Sequence, residues 1–254
     1  MKRRTLFKAA AALASAGLPA SASAFGDEFL FTIGLLEYAG GNPNPRPGAL
    51  QRLLLEVELT TSVLIGAQTP LVPMTAEAVF QFPILVLAGD VAFEPWSDDA
   101  REVLRTWLAA GGLLFVDSSE GRLDGEFERS VRRELEFLIP AATLEPIAPD
   151  HVLFRAFYLV DGANGRTVVS PTLSGAMVDD RLAVVFSPND HMGAWARDNF
   201  GNYLYTAYPG GEAQRTQAHR FGVNLVMYAM CLDYKADQVH VEYLLRSRRW
   251  QVEP

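Results

Sequence analysis

The chain has 254 residues, a formal net charge of −8 and a single cysteine. The acidic balance argues against binding of nucleic acid or of an anionic lipid surface by bulk electrostatics. One cysteine excludes an intrachain disulfide, so stability must come from a buried core, for which this length is ample. Beyond the N-terminal region no run approaches the roughly 20 apolar residues that span a bilayer, which predicts no transmembrane span.

The N-terminal region has the pattern of a twin-arginine signal peptide. Arg3 and Arg4 precede an Ala-rich run, and residues 22–24 read Ala-Ser-Ala, as a signal peptidase site requires. We therefore expect a signal peptide over 1–24 and a mature chain, periplasmic or otherwise exported, that begins near Phe25. Removing its four cations changes the net charge from −8 to −12, with 18 Lys and Arg against 30 Asp and Glu. An amphipathic helix belonging to the fold is the alternative.

The first half of the mature chain predicts strands that alternate with helices. Short apolar, β-rich runs predict strands over 29–36, 61–65, 82–88 and 113–117. Apolar residues at helical spacing predict a helix from Leu50, a second between Ser97 and Gly111, and a third over 124–138. Ser97 has the side chain of a helix N-cap, and glycine at 111 and 112 ends the second helix.

The second half is less regular. It predicts short strands over 152–160 and 167–171, a clear strand over 181–187 and a helix over 213–231. Cys231 ends that helix, and its apolar surroundings predict a buried, inert thiol. The Arg-rich and aromatic end, Arg246 to Trp250, is either a solvated tail or a contact for an acidic partner.

This order of elements predicts an α/β fold with a mostly parallel central sheet covered by helices on both faces. We expect one domain over 25–235, followed by a basic and aromatic C-terminal extension over 236–254. Ligands of such sheets bind beyond the carboxyl ends of the strands. The residues that we expect to line this edge, for ligand contact or for loop ordering, are Tyr38, Asp90, Asp117, Ser118, His151, Asn189 and Asp190.

Catalytic motifs are weak. Ser119 and His151 are the candidates for catalysis, but Asp117 stands where a G-x-S-x-G elbow needs its first glycine. The four histidines lack any paired-ligand spacing, so we predict no metal and no cofactor. A site in which Asp190 and His191 meet Asp117 and His151 is the alternative, since such oxygen and nitrogen ligands can hold a cation.

Several stretches, taken in order, resemble the domain-of-unknown-function family 4159. They are Tyr38-Ala39-Gly40-Gly41, 104–117, 150–154, 181–190 and 220–224 with Tyr228-Ala229. The resemblance implies a flavodoxin-like, three-layer sandwich of the class I glutamine amidotransferase-like superfamily. His151 with Leu153, and the strand that ends at Asn189-Asp190, are also similar to the trehalose-utilisation (ThuA-like) branch.

True amidotransferases carry a cysteine after the strand equivalent to 113–116, where this chain has Asp117-Ser118. The resemblance therefore implies no glutaminase activity. Relatives in this family are often found beside, or fused to, membrane proteins with von Willebrand-type domains, and are associated with MoxR-type ATPases. The resemblance therefore implies a role in a cell-envelope assembly.

We thus expect an exported, non-catalytic domain that binds a protein partner of the cell envelope or a small polar ligand at the carboxyl edge of its sheet. The alternative is a hydrolase of a small polar or sugar-like substrate, with Ser119 or a bound metal supplying the nucleophile. A purely structural partner that uses the Arg246–Trp250 tail is the third hypothesis.

Overall fold

The computed structural model describes the backbone of residues 30–140 and 143–247, and the side chains as far as Cys231. The segment 1–24, for which a signal peptide is predicted, and the side chains of the Arg246–Trp250 tail lie outside the described residues. Contacts separate Met1–Leu30 from a unit over Phe31–Pro254, and the fold below is that of the second unit. None of the described helices combines the length and the apolarity needed to cross a membrane.

Seven strands form one sheet with the order β2-β1-β3-β4-β7-β6-β5. The first five in that order are parallel to one another, and β6 and β5 are added antiparallel. The strands are β1 Gly34–Leu36, β2 Leu71–Val72, β3 Ile84–Gly89, β4 Leu113–Ser118, β5 Glu145–Pro146, β6 Ser174–Val178 and β7 Arg181–Ser187. The predicted α/β class with a mostly parallel sheet is confirmed.

Helices cover both faces of this sheet. They are α1 Ala49–Thr60, α2 Ala76–Val79, α3 Asp98–Ala109, α4 Glu126–Leu138, a 3-10 turn Val152–Arg155, α5 His191–Trp195 and α6 Gly211–Ser247. Alternate residues of the buried strands point into two separate cores. Val86 and Phe115 pack on the side of α1, α5 and α6, whereas Leu87 and Val116 pack on the side of α2, α3 and α4.

The predicted helices of the first half are confirmed. Ser97 caps α3 by accepting a hydrogen bond from Ala100 N at 3.2 Å, and Gly111, at φ 119°, follows its end. The last helix begins at Gly211 and its backbone continues to Ser247, past the boundary expected at 235. Cys231 is exposed, so the prediction of a buried thiol is wrong.

Of the two strands predicted first along the chain, one is shorter than expected and the other does not form. Strand β1 is confined to Gly34–Leu36, and Phe31 makes only an isolated parallel bridge with Ile65. The prediction of a strand over 61–65 is wrong, because Thr61 ends α1: its hydroxyl donates to Val57 O at 2.6 Å. The strand that pairs with the outer side of β1 is β2, ten residues further along the chain.

The strands predicted over 152–160 and 167–171 do not form. Their backbone groups bond to side chains instead of to neighbouring strands. Asn224 Oδ1 accepts from the amides of Phe157 and Tyr158 at 3.0 and 2.7 Å. Asn189 Oδ1 accepts from Val169 and Ser170 at 2.7 and 2.9 Å.

The antiparallel strand β6, by contrast, was not predicted. It joins β7 through Asp179 and Asp180, both at positive φ, a conformation that aspartate tolerates in tight hairpins.

Candidate functional site

The carboxyl ends of β4 and β7 lie side by side, because Asp117 and Ser187 are paired in the parallel register. The residues that follow the two strands therefore meet at one edge. Asp190 N donates to Ser118 O at 3.1 Å, which links the two loops directly. The structure thus brings together four of the predicted residues, namely Asp117, Ser118, Asn189 and Asp190.

Asp117 is a fully buried carboxylate that holds the start of α5. Its oxygens accept hydrogen bonds from His191 N at 2.9 Å and from Met192 N at 2.7 Å. Burial raises the pKa of Asp117, since a low-dielectric surrounding disfavours the charged form. Both oxygens are engaged by the backbone of its own fold, so Asp117 orders the loop rather than facing a ligand.

Asp190 is equally buried but lies in an unusual conformation. It has φ 54° and ψ 60°, and its side chain caps α5 by accepting from Gly193 N at 3.0 Å. A Cβ at Gly193 would lie 2.4 Å from Asp190 Oδ2, so only glycine leaves room for this carboxylate. Ser119 Oγ also donates to Asp190, at 3.0 Å.

Two arginines from distant parts of the chain converge on Asp190, and we call Arg46 and Arg166 the arginine pair. Arg46 donates through Nε at 3.0 Å and through Nη2 at 2.8 Å. Arg166 donates to Asp190 Oδ2 through Nε. Burial alone would raise the pKa of Asp190, but the hydrogen bonds and charges of both guanidinium groups hold it below its ordinary value.

Tyr205 supports the arginine pair from one side. The Arg46 guanidinium lies 4.3 Å from the centre of the Tyr205 ring, and that of Arg166 lies 6.0 Å from it. Arg215 donates to Tyr205 O at 2.6 Å, and Tyr208 N donates to Arg166 O at 2.8 Å. Backbone and ring contacts therefore hold the pair in position.

The arginine pair retains unused hydrogen-bond donors. Arg166 bonds to Asp190 through Nε alone, and within the described residues its Nη1 and Nη2 have no hydrogen-bond partner. The side chains of Arg46 and Arg166 are 14% and 24% exposed. Because two guanidinium groups share one carboxylate, a positive charge with free donors faces solvent at this edge.

The side chains of Asn189 and Ser118 form hydrogen bonds with nearby backbone groups. Asn189 accepts from two backbone amides of the 167–170 segment and donates to Ser170 O at 2.8 Å. Ser118 Oγ accepts from Glu120 N at 3.3 Å. The Glu120 carboxylate in turn accepts from Glu126 N at 2.6 Å, at the start of α4. Asn189 therefore orders the segment that follows Arg166, and Ser118 with Glu120 orders the loop between β4 and α4.

Tyr38 and Asp90 lie at the neighbouring ends of β1 and β3. The Tyr38 hydroxyl donates to Ala88 O at 2.6 Å, and Asp90 accepts from Asn42 Nδ2 at 3.2 Å. Burial, followed by the charge of Asp90, raises the pKa of Tyr38, so this phenol stays neutral. Neither residue contacts the arginine pair through a hydrogen bond.

An open pocket of about 200 Å³ adjoins Tyr38. Glu37, Glu94 and the largely buried Trp96 are among the residues that line it. Its charge is opposite to that of the arginine pair. Two glutamates at this pocket disfavour an anionic group there, whereas the charge of the arginine pair attracts one.

His151 does not lie at this edge, and its placement there is wrong. Its ring packs against Tyr228, with 5.6 Å between the ring centres, and Nδ1 accepts from Leu153 N at 3.1 Å. Tyr228 lies beside Arg181 and the backbone of Leu182, at the amino end of β7. His151 is the N-cap of the 3-10 turn and not a residue of the site.

Ser119 lacks the partners of a serine nucleophile. It is buried and its hydroxyl donates to Asp190, with no histidine bonded to it among the described residues. His191 is fully buried, and its Nδ1 lies 2.8 Å from Ser187 Oγ. Within the ranges that the structure describes, no three His, Cys, Asp or Glu residues are placed to hold a metal.

Sequence reasoning missed Arg46, Arg166 and Tyr205. Arg46 stands in the proline-rich loop after β1, where a lone arginine carries no motif. Arg166 and Tyr205 stand in stretches without periodicity. Only the fold shows that Arg46 and Arg166 meet Asp190 across 144 and 24 residues of sequence.

Comparison with known proteins identifies the family of the chain. No curated protein sequence matches it. The sequence model described as "Domain of unknown function (DUF4159)" matches residues 32–230. This range includes β1, both arginines, Asp190 and most of the described part of α6. The chain therefore belongs to the DUF4159 family.

Proposed function

We propose that this protein is an exported, non-catalytic binding domain that takes a protein partner of the cell envelope or a small polar ligand at the carboxyl edge of its sheet. The observation that carries the proposal is the arginine pair, two partly exposed guanidinium groups fixed on one buried carboxylate, Asp190. A charged group with free donors on a rigid support is typical of a binding site. A role in a cell-envelope assembly is part of the same proposal.

We also assign the fold to the flavodoxin-like, class I glutamine amidotransferase-like superfamily. The central run of parallel strands with helices on both faces supports the assignment. Asp117 and Ser118 stand where those enzymes carry their cysteine nucleophile, and Asp117 is engaged by two backbone amides. This arrangement supports a binding role and not glutaminase activity.

The geometry does not favour the hydrolase hypothesis. A serine nucleophile needs a base that can take up its proton near neutral pH. The partner of Ser119 is Asp190, whose pKa the two arginines hold low. An aspartate of low pKa is a poor base, so Asp190 would not activate Ser119 as a nucleophile. The arrangement therefore supports binding over hydrolysis.

Export is tested with the twin-arginine motif. The double variant Arg3→Lys, Arg4→Lys should keep the protein in the cytoplasm, whereas the unchanged chain should appear in the periplasmic fraction and lose its first 24 residues or so. N-terminal sequencing and fractionation measure both. Equal export of the two chains by the cell would contradict the twin-arginine assignment.

Binding at the edge is tested by quantitative co-purification from the native cell envelope. The double variant Arg46→Gln, Arg166→Gln should lose the proteins or ligands that the unchanged chain retains. Arg155→Gln is the matched control, because Arg155 is an exposed arginine on the 3-10 turn, away from this edge. A chain lacking 246–254 tests the tail separately. Equal recovery with the double variant would contradict the proposal.

A further inference from the structure

We propose that the group recognised by the arginine pair is a carboxylate carried beside an apolar group, and that the Nη1–Nη2 edge of Arg166 binds it through two hydrogen bonds. This inference rests on the proposed binding function and deepens it. It follows from the unequal use that Arg46 and Arg166 make of their donors.

Arg46 uses two of its guanidinium nitrogens to bind Asp190. Its Nε and Nη2 both reach that carboxylate, its Nη1 lies 3.4 Å from Pro45 O, and its plane lies over Tyr205. Arg166 reaches the same carboxylate with Nε only. A guanidinium carries five N–H donors in a planar arrangement, so Arg166 keeps four of them on Nη1 and Nη2. Arg46 is thus a support and Arg166 the free fork.

A planar fork with two parallel donors matches the two oxygens of a carboxylate. The charges agree, since Asp190 neutralises only one of the two guanidinium groups. Asp117, at the end of the neighbouring strand, is held by the amides of α5, and within the described residues no ion pair joins it to either arginine. One negative charge on a ligand would therefore balance the second guanidinium group of the arginine pair.

Exposed side chains on the backbone next to Arg166 and Tyr205 are the basis for expecting an apolar group beside the carboxylate. Tyr208 is 71% exposed and its amide bonds to the Arg166 carbonyl. Leu204 is 51% exposed and precedes Tyr205, the ring that supports the pair. Tyrosine and arginine together are typical of the residues that dominate binding surfaces.

The experiment is an NMR titration of the mature, folded chain with small probes. N-acetyl-phenylalanine presents a terminal carboxylate, and its neutral control is N-acetyl-phenylalanine amide. An N-acetyl-Phe-Glu amide dipeptide presents a side-chain carboxylate, with N-acetyl-Phe-Gln amide as its control. Acetate tests the carboxylate without its apolar neighbour, and inorganic phosphate tests the other common oxyanion.

We expect saturable shifts of the backbone amides of Arg166, Thr167 and Tyr205 with a carboxylate probe, and binding weaker by at least about tenfold with its neutral control. Whichever of the two carboxylate probes binds more tightly identifies the source of the group. Acetate should bind more weakly than either. Arg166→Gln should abolish the shifts. Arg166→Lys, which keeps the charge and loses the planar fork, should weaken binding by about tenfold.

Three results would overturn the inference: equal binding of the neutral controls, tighter binding of phosphate, or no saturable shift with either carboxylate probe. Co-purification that still depends on Arg46 and Arg166 would then retain the binding function and reject only the ligand chemistry. Co-purification that is indifferent to both arginines would reject the binding function as well. Cooperative unfolding of Arg166→Gln and Arg166→Lys, with a loss of stability of no more than about 1 kcal/mol, excludes misfolding as the cause of lost binding.

Discussion

Two carboxylates at the same sheet edge, Asp117 and Asp190, are both fully buried and are compensated in different ways. Asp117 is held by the first two backbone amides of α5, those of His191 and Met192. Asp190 is held mainly by side chains, two guanidinium groups that keep part of their surface in solvent. The bonds of Asp117 leave no charged group or donor in solvent, whereas those of Asp190 leave part of both guanidinium groups accessible. We therefore assign Asp117 to loop ordering and the Asp190 site to binding.

The largest effect should follow the removal of Asp117. Asp117→Ala leaves the amides of His191 and Met192 buried without acceptors, at about 1–3 kcal/mol each. We expect the free energy of unfolding to fall by about 2–5 kcal/mol, with Asp117→Asn in between because it keeps one acceptor oxygen. Urea unfolding measures the change. A loss well below 1 kcal/mol would mean that water reaches these amides.

Asp190→Ala should cost less, about 2–4 kcal/mol, because the exposed parts of Arg46 and Arg166 can be solvated once their partner is lost. Added formate or acetate should restore part of this stability in a concentration-dependent way by occupying the vacated position between the guanidinium groups. The same salts should not restore Asp117→Ala. Equal rescue of both variants would remove the distinction between the two carboxylates.

The pH dependence of stability should have opposite signs for Asp190 and Asp117. The folded pKa of Asp190 is lowered, so its contribution is present above about pH 4, the unfolded value, and is lost as the pH falls through the folded pKa. The folded pKa of Asp117 is raised, so its cost is present at higher pH and is relieved as the pH falls.

As the pH falls, the free energy of unfolding should therefore decrease less steeply in Asp190→Asn than in the unchanged chain, and more steeply in Asp117→Asn. Urea unfolding of both variants between about pH 3 and pH 7 measures the two slopes. Slopes that change in the same direction for both variants would contradict the assignment of these charges.

The smallest effect on stability should come from Arg166→Gln, at about 1 kcal/mol or less, because Arg46 still neutralises Asp190. Ligand binding should nevertheless be lost, and Arg155→Gln should change neither property. Thermal unfolding and co-purification, run on the same preparations, check this dissociation. A large loss of stability in Arg166→Gln would assign that arginine to the fold instead of to the ligand.

Local patterns in the sequence were sufficient to predict α1, α3, α4 and the strand β7. Ser97 followed by Asp98 and Asp99 marks the start of α3, and the apolar residues 113–116 at the start of β4 mark a strand buried on both faces. The strands predicted over 152–160 and 167–171 failed for a physical reason. Asn224 and Asn189 satisfy the backbone of those segments from elsewhere in the chain, and no local pattern records such a partner.

The site divides in the same way. The rule that strand ends converge predicted Asp117, Ser118, Asn189 and Asp190 at one edge, since it depends only on strand order and direction. The arginine pair depends on side chains reaching across 144 residues from Arg46 and 24 residues from Arg166. Such long-range charge pairs have no periodicity or spacing and become visible only in the folded chain.

Side-chain NMR of the guanidinium nitrogens tests directly whether Arg166 binds the ligand carboxylate. The signals are followed during titration with the carboxylate probe that binds more tightly. The account predicts that the Arg166 Nη signals shift and slow their exchange with water at saturation, while the Arg46 Nε signal, already bonded to Asp190, changes little. Unchanged Arg166 signals at saturation, with shifts confined to other arginines, would contradict it.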